Sequence, residues 1–142
     1  GVIVWGPLAA GYLTGKYKPN QSPPKGSRLN YTQATMDDFL KPRIQHTVEM
    51  LDRIAKDLGK SMAEVALRWV LDQDTITSVI VGATKVGQIQ SNIGCSGWEL
   101  EKDLMLQLNE VSSVPLRYPH SMEKDMHLRR SDAVNMPILQ GE

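Results

Sequence analysis

Val79-Ile80-Val81-Gly82-Ala83-Thr84-Lys85-Val86-Gly87-Gln88-Ile89-Gln90-Ser91-Asn92 is the stretch that decides the fold of this chain. A β-branched apolar run ends in a small Gly-Ala pair, and a helix opens at once with Thr84 as its expected N-cap. Such a strand-to-helix corner gathers free backbone N–H groups and the positive end of a helix dipole at one point. That is an anion site, and phosphate is the usual anion. Gln88 falls one turn into the helix and Asn92 one turn later, on the same face by i, i+4 spacing. Amide side chains there can reach whatever the phosphate carries. On pattern alone the segment fits an ordinary βα corner of a parallel sheet equally well.

A second corner opens the chain. In Val2-Ile3-Val4-Trp5-Gly6-Pro7-Leu8-Ala9-Ala10-Gly11-Tyr12-Leu13-Thr14-Gly15-Lys16-Tyr17 an apolar strand again runs into a glycine-punctuated loop, and this loop carries a lysine. Two corners roughly eighty residues apart are what two βα units of one parallel sheet supply on its C-terminal edge, where such sheets bind ligands.

Between the corners the pattern is mainly helical. Residues 20–30, with Pro23, Pro24, Gly26 and Ser27, read as a loop. From Pro42 onward Ile44, Val48, Leu51, Ala55 and Leu58 recur at helical steps, and Gly59 is the expected C′ residue. Ser61-Met62-Ala63-Glu64 is a capping box opening a second helix, with Met62, Val65, Ala66, Trp69 and Val70 as its stripe. Val86, Ile89 and Ile93 mark a third helix. Leu100, Leu104, Leu108 and Val111 mark a fourth. From Val114 the pattern is irregular.

Composition narrows the function. Sixteen basic and sixteen acidic residues balance, so no general field attracts nucleic acid or an anionic membrane. A single cysteine, Cys95, excludes an intrachain disulfide framework and suits a reducing compartment. With no flanking histidine, Cys95 reads as a small packed residue. No apolar run approaches the ~20 residues needed to span a bilayer, and no signal peptide opens the chain. The expectation is a cytoplasmic protein.

Trp5-x-Pro7-Leu8-x-x-Gly11-x-Leu13-Thr14-Gly15-Lys16-Tyr17, followed by Gly82-Ala83-Thr84-Lys85-x-x-Gln88-x-x-x-Asn92, resembles the C-terminal part of an aldo-keto reductase. The similar branch is the one that includes the potassium-channel β subunits and many bacterial NADPH-dependent reductases. Tyr118-Pro119-His120-Ser121-Met122 resembles that branch too, so the resemblance spans residues 1–122, with 123–142 as a C-terminal tail. The family fold is an α/β (β/α)8 barrel of about 300 residues. The resemblance implies that residues 2–5 are its seventh strand and 78–81 its eighth, so the expected fold is a partial barrel. Two parallel strands with several helices would form it. The family's catalytic Asp, Tyr, Lys and His sit on earlier strands, and no residue here is assigned to them or to a metal. The first residue, Gly1, fits a truncated or excised piece.

The resemblance also implies a cofactor site for NADP(H). Trp5 would stack on the nicotinamide ring, with Gly6, Pro7, Leu8 and Gly11 in the adjoining loop. Lys16 and Arg28 would approach the cofactor phosphates. Gly82, Thr84, Gln88 and Asn92 match the adenosine-end positions. Lys85 beside the dipole end favours a 2′-phosphate, hence NADP(H) over NAD(H). Two positions depart from the branch: Gly6 stands where serine is usual, and Ser91 where an acidic residue is common. His120 belongs to a loop that borders the family's substrate pocket. The implied activity is reduction of a small carbonyl substrate in the complete enzyme. The other reading is a non-catalytic fragment that self-associates, pairs with a missing N-terminal part or binds nucleotide weakly.

Overall fold

A computed structural model describes residues 1–30, 40–115, 118 and 122. Strand β1 (Val2–Trp5) is followed by a 3-10 segment (Ala9–Thr14) and a short 3-10 turn (Arg28–Asn30). Helices α1 (Pro42–Asp57) and α2 (Met62–Leu71) lead into strand β2 (Ile76–Ile80). Helices α3 (Val86–Ile93) and α4 (Lys102–Ser112) follow. The two strands pair in parallel, Ile3 with Ser78, Val4 with Val79 and Trp5 with Ile80, with a register irregularity between Val2 and Ile3. This is the expected segment of a β/α barrel. The second strand begins at Ile76 and ends at Ile80, so Val81 already belongs to the corner.

Local sequence explains the helix ends. Helix α1 closes in a Schellman motif: Lys60 N–H donates to Ala55 O (2.9 Å) and Gly59 N–H to Lys56 O (3.2 Å). Gly59 at φ +62° takes the left-handed C′ position that a side chain resists. Helix α2 opens on the expected box. Glu64 N–H donates to Ser61 Oγ (3.2 Å), and Ser61 N–H donates to a Glu64 carboxylate oxygen (2.8 Å). Burial raises the Glu64 pKa, but the Ser61 hydroxyl, the Ser61 N–H and nearby Lys60 together outweigh it. The carboxyl is held below its usual range.

The core lies among the helices. Leu51, Ile54, Ala55, Val65, Ala66, Leu100 and Leu108 form one buried cluster, joined by half-buried Leu8, Leu13 and Trp69. Helix α1 packs on α2 and α4, while α2 also packs on β2, α3 and the 9–14 segment. Polar ties reinforce these contacts. Trp69 Nε1 donates to Asn109 Oδ1 at 2.8 Å, and Arg53 donates to Gln107 Oε1 at 2.8 Å. The Asp72 carboxylate pairs with Arg68 and accepts the Leu100 N–H at 2.9 Å, fixing the segment between α3 and α4 to α2. Cys95 is buried in that segment, as expected of a small packed residue.

Helix α3 departs from expectation. Its apolar stripe faces outward: Val86 is 75% exposed, Ile89 49% and Ile93 64%. The side that docks is small and polar. Ser91 Oγ lies 2.9 Å from Ser61 Oγ, Asn92 is buried, and Gly94 lies against the Glu64 carboxylate. The N-terminus of α2 offers a polar cap there, so α3 meets it with residues that tolerate one.

Candidate functional site

Both corners leave the same edge of the sheet, because Trp5 and Ile80, the last residues of the two strands, are register partners. Trp5 is 75% exposed at that edge, and the Arg28 guanidinium carbon stands 5.8 Å from its ring centroid. A planar cation over an indole face is a cation–π arrangement. It brings the loop of residues 20–30 back onto the end of β1.

The intervening loop is built from its backbone. Gly6 at φ +69° turns the chain out of the strand. Pro7 is buried and Leu8 packs against the main core cluster, anchoring the loop beneath. Ala9 and Ala10 then hold φ of 47° and 56°, a left-handed conformation that costs a non-glycine residue about 1–2 kcal/mol. Gly11 follows at φ +96°, where a Cβ would meet Lys16 Cε and Nζ at 2.5 Å. The Lys16 side chain thus lies across Gly11, with Nζ 5.1 Å from the Tyr17 ring centroid.

Tyr17 holds this loop together, a role that inspection of the sequence does not reveal. It is 1% exposed and packs edge-on to Tyr12 (5.5 Å between centroids, 61° between planes). Its hydroxyl donates to Ala10 O at 3.2 Å and accepts the Leu29 N–H at 3.4 Å. The partners are backbone groups seven and twelve residues away, which carry no side-chain signature. The aromatic spacing of Tyr12 and Tyr17 is the signal that could have pointed to a local core.

At the other corner, Gly82, Ala83, Thr84 and Lys85 are all exposed. Thr84 is not the N-cap. Lys85 occupies that position (φ −136°, ψ 144°) and the helix begins at Val86. Gln88 does the capping instead. Its Oε1 accepts from Thr84 N–H (2.8 Å), Lys85 N–H (3.1 Å) and the Thr84 hydroxyl (3.3 Å). Gln88 therefore occupies the Thr84 and Lys85 donors of this corner. Asn92, expected on the same helix face as Gln88 and within reach of the ribose or adenine, is instead buried at 6% exposure. Ser91 docks α3 through Ser61.

The structure thus brings Trp5 to Arg28, and Thr84 and Lys85 to Gln88, along one sheet edge. Tyr118 and Met122 are exposed. Tyr31, His120, His127 and residues 123–142 lie outside the described residues. Among the described residues no cluster of His, Cys, Asp or Glu could hold a metal ion, and no helix is long and apolar enough to cross a membrane.

Comparison with known proteins adds lineage to this geometry. A family model described as "Aldo/keto reductase family" matches residues 1–113. An L-glyceraldehyde 3-phosphate reductase of Escherichia coli K12 is 35% identical over 97 residues, covering 66% of this chain and 28% of that protein. A putative voltage-gated potassium channel subunit beta of Schizosaccharomyces pombe is 32% identical over 117 residues, covering 78% of this chain and 33% of its own length. A chloroplastic pyridoxal reductase of Arabidopsis thaliana is 34% identical over 107 residues, covering 75% and 27%. Among solved structures, a glycerol dehydrogenase of Gluconobacter oxydans superposes with a TM-score of 0.60 at 26% identity, covering 80% of this chain and 36% of that one. The chain spans about a third or less of the curated relatives quoted.

Proposed function

Because the chain belongs to the aldo/keto reductase family, we propose that it is the cofactor-binding part of an NADPH-dependent oxidoreductase, one that reduces an aldehyde or ketone to an alcohol. The bound nicotinamide would supply hydride to the carbonyl carbon. The proton for the oxygen comes from a family tyrosine to which no residue of this chain is assigned. Residues 1–122 form the barrel part and 123–142 a tail, and the protein works in the cytoplasm.

The observation that carries this reading is the Arg28 guanidinium 5.8 Å from the exposed Trp5 ring, on the sheet edge shared with the Gly82–Lys85 corner. Trp5 offers a flat face that fixes a nicotinamide by offset stacking, worth ~0.5–1.5 kcal/mol beyond area burial. Arg28 and Lys16 neutralise phosphate oxygens, Arg28 through its planar fork of donors. Gly6, Pro7, Leu8 and Gly11 shape the loop along which the cofactor lies. At the far end Gly82 leaves room, Thr84 and Lys85 meet the ribose 2′-phosphate, and the Gln88 amide turns from its cap toward the nucleoside. Asn92 supports that end from beneath α3.

Fluorescence titration with NADPH and NADH at fixed salt tests the reading. Salt must be fixed because exposed charge contacts are screened. NADPH should bind more tightly, and Thr84→Asp should narrow the gap by repelling the 2′-phosphate. Equal affinities would count against it. Turnover of an aromatic aldehyde by this chain alone should stay near background, since positioned acid–base help contributes typically 10²–10⁴-fold. Robust NADPH oxidation that survives Tyr12→Phe, Tyr17→Phe and Tyr118→Phe would refute the placement of the acid outside the chain.

A second reading has its own observation. Ile3, Ile80, Val86 and Ile93 are each more than half exposed. It makes the chain a non-catalytic piece that self-associates, or pairs with the earlier part of a barrel, and holds nucleotide weakly.

A further inference from the structure

A buried hydroxyl bonds to both the loop that carries Arg28 and the loop that follows Trp5. A tyrosine hydroxyl has one proton to donate and lone pairs to accept with. Tyr17 uses both functions across the fold, donating to Ala10 O at 3.2 Å and accepting from Leu29 N–H at 3.4 Å. Ala10 stands in the left-handed stretch at φ 56°, and such a conformation persists where its surroundings over-determine it. Leu29 is the residue after Arg28. Holding its N–H orients the Arg28–Leu29 peptide plane, and with it the direction in which the Arg28 side chain leaves the backbone. The tyrosine itself is 1% exposed, packed with Tyr12, Leu29, Ile44 and Val48, so it touches no ligand on the sheet edge.

We propose that Tyr17 is a positioning residue: its hydroxyl fixes Arg28 over Trp5 and thereby sets the affinity for a phosphate-bearing dinucleotide. This rests on the reading that Trp5 and Arg28 hold the cofactor. A phenylalanine at this position would fill the same apolar slot, keep the packing with Tyr12 and Leu29, and remove both hydrogen bonds.

Tyr17→Phe in the 142-residue chain gives the test, with two readouts. In hydrogen exchange, the Leu29 amide should exchange faster while amides in the middle of α1 and α4 stay unchanged. In NADPH titration the variant should bind about fivefold more weakly, the scale of one lost hydrogen bond. On an Arg28→Met background the same substitution should cause no further loss. An unchanged Leu29 amide, or a full fivefold loss that persists without Arg28, overturns the proposal. Should the unmodified chain not bind NADPH, the proposed function fails, and positioning is judged on the Trp5 indole N–H resonance. A displacement in Tyr17→Phe matching that in Arg28→Met supports the inference; an unmoved resonance defeats it. Should Tyr17→Phe not fold, the unmodified chain decides. A slowly exchanging Tyr17 hydroxyl proton with cross-relaxation to the Leu29 amide is required, and its absence overturns the proposal.

Discussion

Gly94 lies where a Cβ would strike the Glu64 carboxylate, at the meeting of α3 with the N-terminus of α2. Glu64 can swing aside, but doing so opens the capping box. Gly94→Ala should therefore cost about 1 kcal/mol, the scale of a lost cap, and should cost almost nothing on a Glu64→Ala background. Thermal melts of the four chains check the coupling. The same carboxylate gives a pH signature. Its folded pKa is depressed, so its stabilisation is fully present above the unfolded value of about 4.3. It is lost as pH falls through the folded value. The melting difference between the unmodified chain and Glu64→Gln should accordingly shrink as pH falls below the unfolded value, and a constant difference would contradict the box. Gln88 separates stability from binding. Gln88→Glu puts a negative charge at the start of α3, where it should stabilise by ~0.3–1 kcal/mol. The same charge should weaken NADPH binding by repelling phosphate. A variant that melts higher and binds more tightly would refute the placement of phosphate at this corner.

Helix α2 is the element on which the others meet, and its Arg68–Asp72 pair binds the segment before α4 to it. Asp72→Ala leaves the Arg68 guanidinium, whose side chain is 17% exposed, without its carboxylate, with the Cys95 carbonyl at 3.4 Å still accepting from it. It should destabilise by roughly 3 kcal/mol, as expected when one member of a largely buried pair is removed. A loss below about 1 kcal/mol in urea unfolding would place the pair with exposed salt bridges instead. The elements also show what could be read from the sequence. The Ser61–Glu64 box and the Gly59 C′ residue were legible because each is written within four residues of its own helix end. The two strands were legible because β-branched runs met glycine corners. The α3 stripe was legible as apolar, but periodicity names the apolar face without saying what covers it. Val86, Ile89 and Ile93 face outward because the neighbour of α3 is a polar helix cap. Thr84 reads as an N-cap because its hydroxyl suits the role, yet Gln88 supplies the acceptor from inside the helix. Its longer side chain reaches two N–H groups at once. Tyr17 was illegible because both its partners are backbone atoms in distant turns.

At the scale of the whole molecule, two parallel strands carry the consequences of an unfinished barrel. Parallel sheets are normally covered on both faces, yet Ile3 and Ile80 are 64% and 53% exposed. Strand edges with unpaired backbone groups template further pairing, and apolar burial contributes ~25 cal/mol per Å². The chain should self-associate or bind a fluorescent dye specific for apolar surface. A monodisperse monomer by light scattering, with a cooperative melt and no dye signal, would contradict this. If the two corners form one cofactor site, amide and indole shift mapping during an NADPH titration will report on both at once. The Trp5 indole, the Thr84 and Lys85 amides and the Gln88 side-chain amide should move together with a single affinity. Shifts absent from both corners, or confined to one of them at saturating NADPH, would contradict a single site.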